Sequence, residues 1–192
     1  MAETNVDTKH AKVIVIRATL DWFTPVWRDI AVSDNQTLIT LHRAIQRAFQ
    51  WDVDHLYAFF MSGREWDCQD SLSYSEPTSL REEGASHPNE RSAHVKLRAL
   101  HLRTGQKIAY VYDYGDNLSV NLVVRKISDA ALDIKCPRVI ALRGFSPPEE
   151  NYHEGYTRRI NKELKKGQPK IIKLDSKTET EILRQWSDIP EK

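Results

Sequence analysis

Long apolar runs, paired cysteines and glycine-rich loops are all missing from this chain, and each absence closes off a class of protein. No hydrophobic stretch approaches the ~18 residues of a membrane span. Residues 1–12 are polar and of mixed charge, without the apolar core of a secretory signal. Two cysteines in 192 residues, Cys68 and Cys136, have no paired spacing. That argues against a disulfide framework and for a reducing cytoplasm. The seven glycines form no phosphate loop, no Gly-x-Gly-x-x-Gly turn and no Gly-x-Ser-x-Gly elbow. No serine stands in a recognisable recombinase context. The seven histidines contain no His-x-x-x-His and the cysteines no Cys-x-x-Cys, so no resident metal or cofactor is expected.

What is there is ordinary globular material: 40% hydrophobic and 29% charged residues, with a net charge of +1. The charge is unevenly spread. Residues 51–90 hold nine Asp/Glu against two Lys/Arg, and residues 157–177 hold eight Lys/Arg against two Asp/Glu. Such asymmetry fits two solvated segments or a partner surface.

The patterning predicts a tail over 1–12, one domain over 13–156 with a long acidic excursion at 63–92, and a basic stretch with a helix over 157–192. Val13–Leu20 and Val26–Val32 read as two strands around an Asp21-Trp22-Phe23-Thr24-Pro25 turn. Leu38, Leu41, Ile45, Ala48 and Phe49 then recur at helical spacing behind a Thr37 cap, with Arg43, Gln46, Arg47 and Gln50 on the other side. His55–Met61 is apolar on both faces, as in a central strand. Val95–Leu102 fits a short helix or a strand. Ile108, Tyr110 and Tyr112 share one strand face, and Leu118, Val120, Leu122 and Val124 share another, around a Tyr114-Gly115-Asp116-Asn117 turn. Arg138–Leu142 adds a strand, and Lys177–Trp186 a C-terminal helix. The expected class is α+β: a helix packed on a mixed or antiparallel sheet, with a β-grasp-like ββαβ core and a late β-hairpin.

Three stretches carry a resemblance. They are Pro25-Val26-Trp27-Arg28 ahead of Thr37–His42, then Phe49-Gln50-Trp51 with His55–Phe59, and finally Tyr112-Asp113-Tyr114-Gly115-Asp116. In this order and spacing the chain resembles the plasmid pRiA4b ORF-3-like family, whose members are also labelled TnpR-like passenger proteins of insertion elements. The resemblance implies an association with mobile elements and no established activity. Members follow the Gly-Asp turn with tryptophan and then histidine, where this chain has Leu118 and Val120. Their late loop is rich in cysteine and glycine, whereas Phe145–Tyr152 has neither.

The candidate polar site comprises Asp113, Asp116, His55, Glu149 and Glu150. Asp113 and Asp116 flank a turn, where paired carboxylates can hold a hard cation or share acid–base work. They can equally accept backbone N–H bonds that shape the turn. His55, beside Asp52 and Asp54, fits a ligand role or simple packing. Glu149 and Glu150 lie in a proline-fixed loop, either as a site or as solvated charges. Trp27 on the first hairpin reads as core, and Arg28 as a stacking or ion-pairing group. Arg158, Arg159, Lys162, Lys165, Lys166 and Lys170 form a stretch able to track phosphates, although it lacks interleaved aromatics. Two functions are compatible with these features. One is a non-enzymatic binding or accessory module contacting nucleic acid or a protein partner. The other is a metal-assisted hydrolase or nuclease built on the Asp113/Asp116 turn.

Overall fold

The computed structural model of the chain describes residues 11–20, 26–51, 55–75, 88–129, 136–144, 146 and 172–173. Among them run β1 (Lys12–Leu20), β2 (Trp27–Ser33), α1 (Leu38–Phe49), β3 (Tyr57–Phe60), β4 (Ser73–Ser75) and β5 (Glu90–Ser92). They are followed by a 3-10 helix (Leu97–Leu100), β6 (Lys107–Tyr112), β7 (Leu118–Asp129), β8 (Arg138–Arg143) and β9 (Ile172–Lys173). The strands join in one nine-stranded sheet ordered β5-β4-β3-β6-β7-β1-β2-β8-β9. Every neighbouring pair is antiparallel except β4 and β5, which run parallel.

This corrects the α+β, β-grasp-like expectation. The described molecule is strand-dominated, with one twelve-residue α-helix and a sheet far larger than a ββαβ core. β3 pairs with β4 and β6, and β1 takes β7 as its second neighbour in antiparallel sense. The strands that extend β3's edge lie in the acidic excursion and are three residues each, too short to display a period of two. Of the tail expected over 1–12, Lys12 already opens β1 and residues 1–10 lie outside the described residues, as do the turn residues 21–25 and the helix expected over 177–186.

Alternating side chains build the core. Ile14, Ile16, Ala18 and Leu20 of β1, Ile30 and Val32 of β2, Ile108, Tyr110 and Tyr112 of β6, and Leu118, Val120, Leu122 and Val124 of β7 are all buried. They form one cluster with Leu38, Leu41, Ile45, Ala48 and Phe49 of α1, because strands direct every second residue to one face while the helix returns every three or four. Thr37 caps α1, its hydroxyl accepting the Thr40 N–H at 3.2 Å. Gln50 stops the helix in the left-handed region at φ 60°.

Arg28 ties the layers together. It is fully buried, and its Nε donates to the Ala48 carbonyl at 2.9 Å in the last turn of α1. Its Nη1 lies 2.9, 3.1 and 3.0 Å from the carbonyls of Trp27, Arg143 and Gly144. A cation at a helix C-terminus meets the negative end of the dipole, while burial pulls the guanidinium down to about 9. Trp27 is buried on the opposite face, with the Arg17 guanidinium 3.8 Å above its ring and Arg17 forked onto Asp29 at 2.7 and 2.8 Å.

Candidate functional site

On the sheet face opposite α1, Ala58 and Phe60 of β3 meet Ala109 and Val111 of β6 in a second buried cluster, with Cys68 and Tyr114 packed against it. The β3–β4 connection, residues 61–72, crosses this face and passes Lys107 at Gly63. Its φ is +76°, and a Cβ there would stand 2.9 Å from that of Lys107, so glycine is required for the close approach.

The turn after β6 redirects the chain. Asp113 sits in the left-handed region at φ 48°, with its N–H on the Leu56 carbonyl at 2.9 Å. Strand alternation would place Tyr114 with Tyr110 and Tyr112 on the helix face, but the kink at Asp113 sends it to the opposite cluster. Asp and Asn bear this conformation more readily than most residues. Asp113 Oδ1 accepts the Gly115 N–H at 3.0 Å and its carbonyl the Asn117 N–H at 2.7 Å.

Trp66 stands against this turn. Its indole Nε1 donates to Asn117 Oδ1 at 3.0 Å, and its ring meets the edge of Tyr114 (5.0 Å, 73°) and the tilted ring of Phe60 (5.6 Å, 56°). Asn117 Nδ2 also reaches Glu65 Oε2 at 3.4 Å. Even so, Trp66 is 49% exposed and its φ is +58°. A bulky residue in that region carries about 1–3 kcal/mol of strain, a cost that concentrates at functional surfaces.

On the helix side, a buried polar line runs beneath α1. His42 Nδ1 lies 2.8 Å from the Tyr110 hydroxyl, to which Gln46 Nε2 also donates. The His42 ring stacks on Tyr57 at 3.7 Å and 9°. Burial, with a smaller contribution from Arg43, lowers His42 to about 4, and burial raises Tyr110 well above its ordinary value. Gln46 is fully buried, not on the exposed side where periodicity puts it. Trp51 stacks on Tyr112 (5.8 Å, 8°), and Tyr112 receives the edge of His55 (5.6 Å, 78°).

Of the five candidate polar residues, the structure brings two together: His55 Nδ1 and Asp113 Oδ2 are 3.8 Å apart. Asp116 is exposed. Glu149 and Glu150 lie outside the described residues, as do Arg158, Arg159, Lys162, Lys165, Lys166 and Lys170. Among the described residues no three His, Cys, Asp or Glu side chains are grouped to hold a metal. Sequence reasoning missed Trp66 and Asn117. The one signal for them in the chain is a tryptophan stranded in a polar segment just after a glycine. Leu118 and Val120, where the family carries tryptophan and histidine, are core residues.

A family model for plasmid pRiA4b ORF-3-like proteins matches residues 12–187, and the chain belongs to that family. An uncharacterized protein, y4hQ, of Sinorhizobium fredii is 26% identical over 141 residues, covering 73% of this chain. The match spans 66% of that relative's length. A crystal structure of a protein of unknown function, MM3350 from Methanosarcina mazei Go1, superposes with a TM-score of 0.64 over 95% of this chain and 92% of that one. At 24% identity it establishes a shared fold. Among the described residues no helix is long and apolar enough to cross a membrane.

Proposed function

We propose that the protein is a non-enzymatic binding module that engages a protein partner through the Trp66–Tyr114 face. The observation that carries this reading is Trp66: a half-exposed, backbone-strained tryptophan held by a hydrogen bond and two ring contacts on the Gly-Asp turn. Rigid aromatic anchors of this kind dominate recognition surfaces. The plasmid-derived family description supports an accessory role for a mobile element, and the free thiols of Cys68 and Cys136 suit a reducing cytoplasm.

A photoreactive phenylalanine analogue at position 66, with exposed Arg125 on β7 as control position, tests the reading in extracts of the source organism. The expected result is a discrete protein adduct from position 66 alone. Equal adducts from both positions, or adducts to nucleic acid, would overturn it.

The His55–Asp113 pair favours a second reading, a metal-assisted hydrolase. Its test is turnover of a model phosphodiester with Mg²⁺, Mn²⁺ or Zn²⁺. A rate that both His55→Ala and Asp113→Asn abolish would replace the binding module by an enzyme.

A further inference from the structure

The chemistry around Trp66 selects among partners. Glu65 lies next to it and touches Asn117, which holds the indole. Asp116 is exposed in the same turn, one residue before Asn117. Asp70 is exposed further along residues 61–72. The positive charge of Arg64 is matched by Asp67 at 2.8 Å. Burial raises the Tyr114 hydroxyl, and Glu90 adds to that shift. Among the described residues of 51–90, four acidic side chains, Glu65, Asp67, Asp70 and Glu90, stand against the one basic side chain of Arg64.

An acidic rim repels phosphates, so nucleic acid does not fit this face. The indole presents an electron-rich surface, its orientation locked through Nε1, and carboxylates stand beside it. Together they attract a cation that can also use an apolar stem. We infer that the Trp66–Tyr114 corner, rimmed by Glu65 and Asp116, is a docking site for an arginine- or lysine-bearing segment of a partner protein. The cationic head lies over the Trp66 ring and pairs with the rim carboxylates, and its methylene stem covers apolar surface toward Tyr114. This deepens the binding-module reading and rests on it.

The test is fluorescence anisotropy of the full chain with a labelled arginine-rich peptide and its glutamine-substituted twin. The arginine peptide should bind at least about tenfold more tightly than the twin, a difference of ~1.4 kcal/mol. Trp66→Leu should lose about tenfold in affinity. Glu65→Gln combined with Asp116→Asn should weaken binding and flatten its salt dependence. Asp116 is exposed, so Asp116→Asn alone, which should also weaken binding, keeps the test valid if Trp66→Leu unfolds or Glu65→Gln disturbs Asn117. Equal binding of the two peptides, or full affinity in the folded variants, would overturn the assignment. Self-association of the free protein that Trp66→Leu abolishes would also overturn it, by making a second copy the occupant. A protein adduct from position 66 together with indifference to the arginine peptide would leave the binding module standing and remove only its cationic specificity.

Discussion

His42 Nδ1 lies 2.8 Å from the hydroxyl of Tyr110, joining α1 to β6 through a polar contact inside an apolar core. With Gln46 Nε2 donating to the same hydroxyl, the tyrosine proton is left for the imidazole, which acts as acceptor in its neutral form. Two expectations follow from this arrangement.

The first concerns pH. His42 is lowered from 6.5 to about 4, chiefly by burial and secondarily by Arg43. The unfolded chain therefore binds the extra proton between roughly pH 6.5 and pH 4, while the native state does not. Stability should be full above about 6.5 and fall as pH drops toward 4, by on the order of 3 kcal/mol. Urea midpoints of wild type and His42→Gln across this range check it, since the variant should lack this part of the slope.

The second concerns the hydroxyl itself. Tyr110→Phe leaves the His42 and Gln46 nitrogens without their shared partner in a buried setting. It should cost about 1–3 kcal/mol, more than an average hydrogen bond. A denaturation midpoint within error of wild type would show that the contact contributes nothing.

Arg28 should be intolerant even of lysine. The guanidinium reaches the carbonyls of Ala48, Trp27, Arg143 and Gly144 at once, which a single ammonium cannot reproduce. Arg28→Lys should lose about 2–3 kcal/mol, read by thermal or chemical unfolding.

Leu41→Ala and Ile45→Ala should each cost about 2–5 kcal/mol, since both side chains are fully buried in the main cluster. Losses below about 0.5 kcal/mol at both would contradict that burial.

Gly63→Ala should destabilise by more than about 1 kcal/mol, because a Cβ would press on Lys107 at a positive φ. If residues 61–72 hold Trp66 as described, the variant should also alter the near-ultraviolet signal of the tryptophans.

Several features are legible in the order of residues alone. Leu38, Leu41, Ile45, Ala48 and Phe49 announce α1 because helical periodicity needs only local information. The same holds for Tyr110 and Tyr112 facing the core beside Leu118, Val120, Leu122 and Val124, where strand alternation suffices. Tyr57–Phe60, apolar on both faces, likewise reads as an internal strand and lies between β4 and β6.

Other features depend on neighbours distant in sequence. Gln46 is polar by type, yet it is buried because Tyr110, 64 residues away, supplies its partner. Tyr114 leaves the face of Tyr110 and Tyr112 because one backbone angle at Asp113 breaks the alternation. Trp66 becomes a surface anchor only through Asn117, 51 residues further on. Periodicity along the chain determined which residues want burial. Pairing across the sheet decided how the described strands are ordered, which polar groups are satisfied inside, and that Trp66, among the described tryptophans, is left facing the solvent. Hydrogen bonds and ring contacts between remote segments leave no local pattern to read.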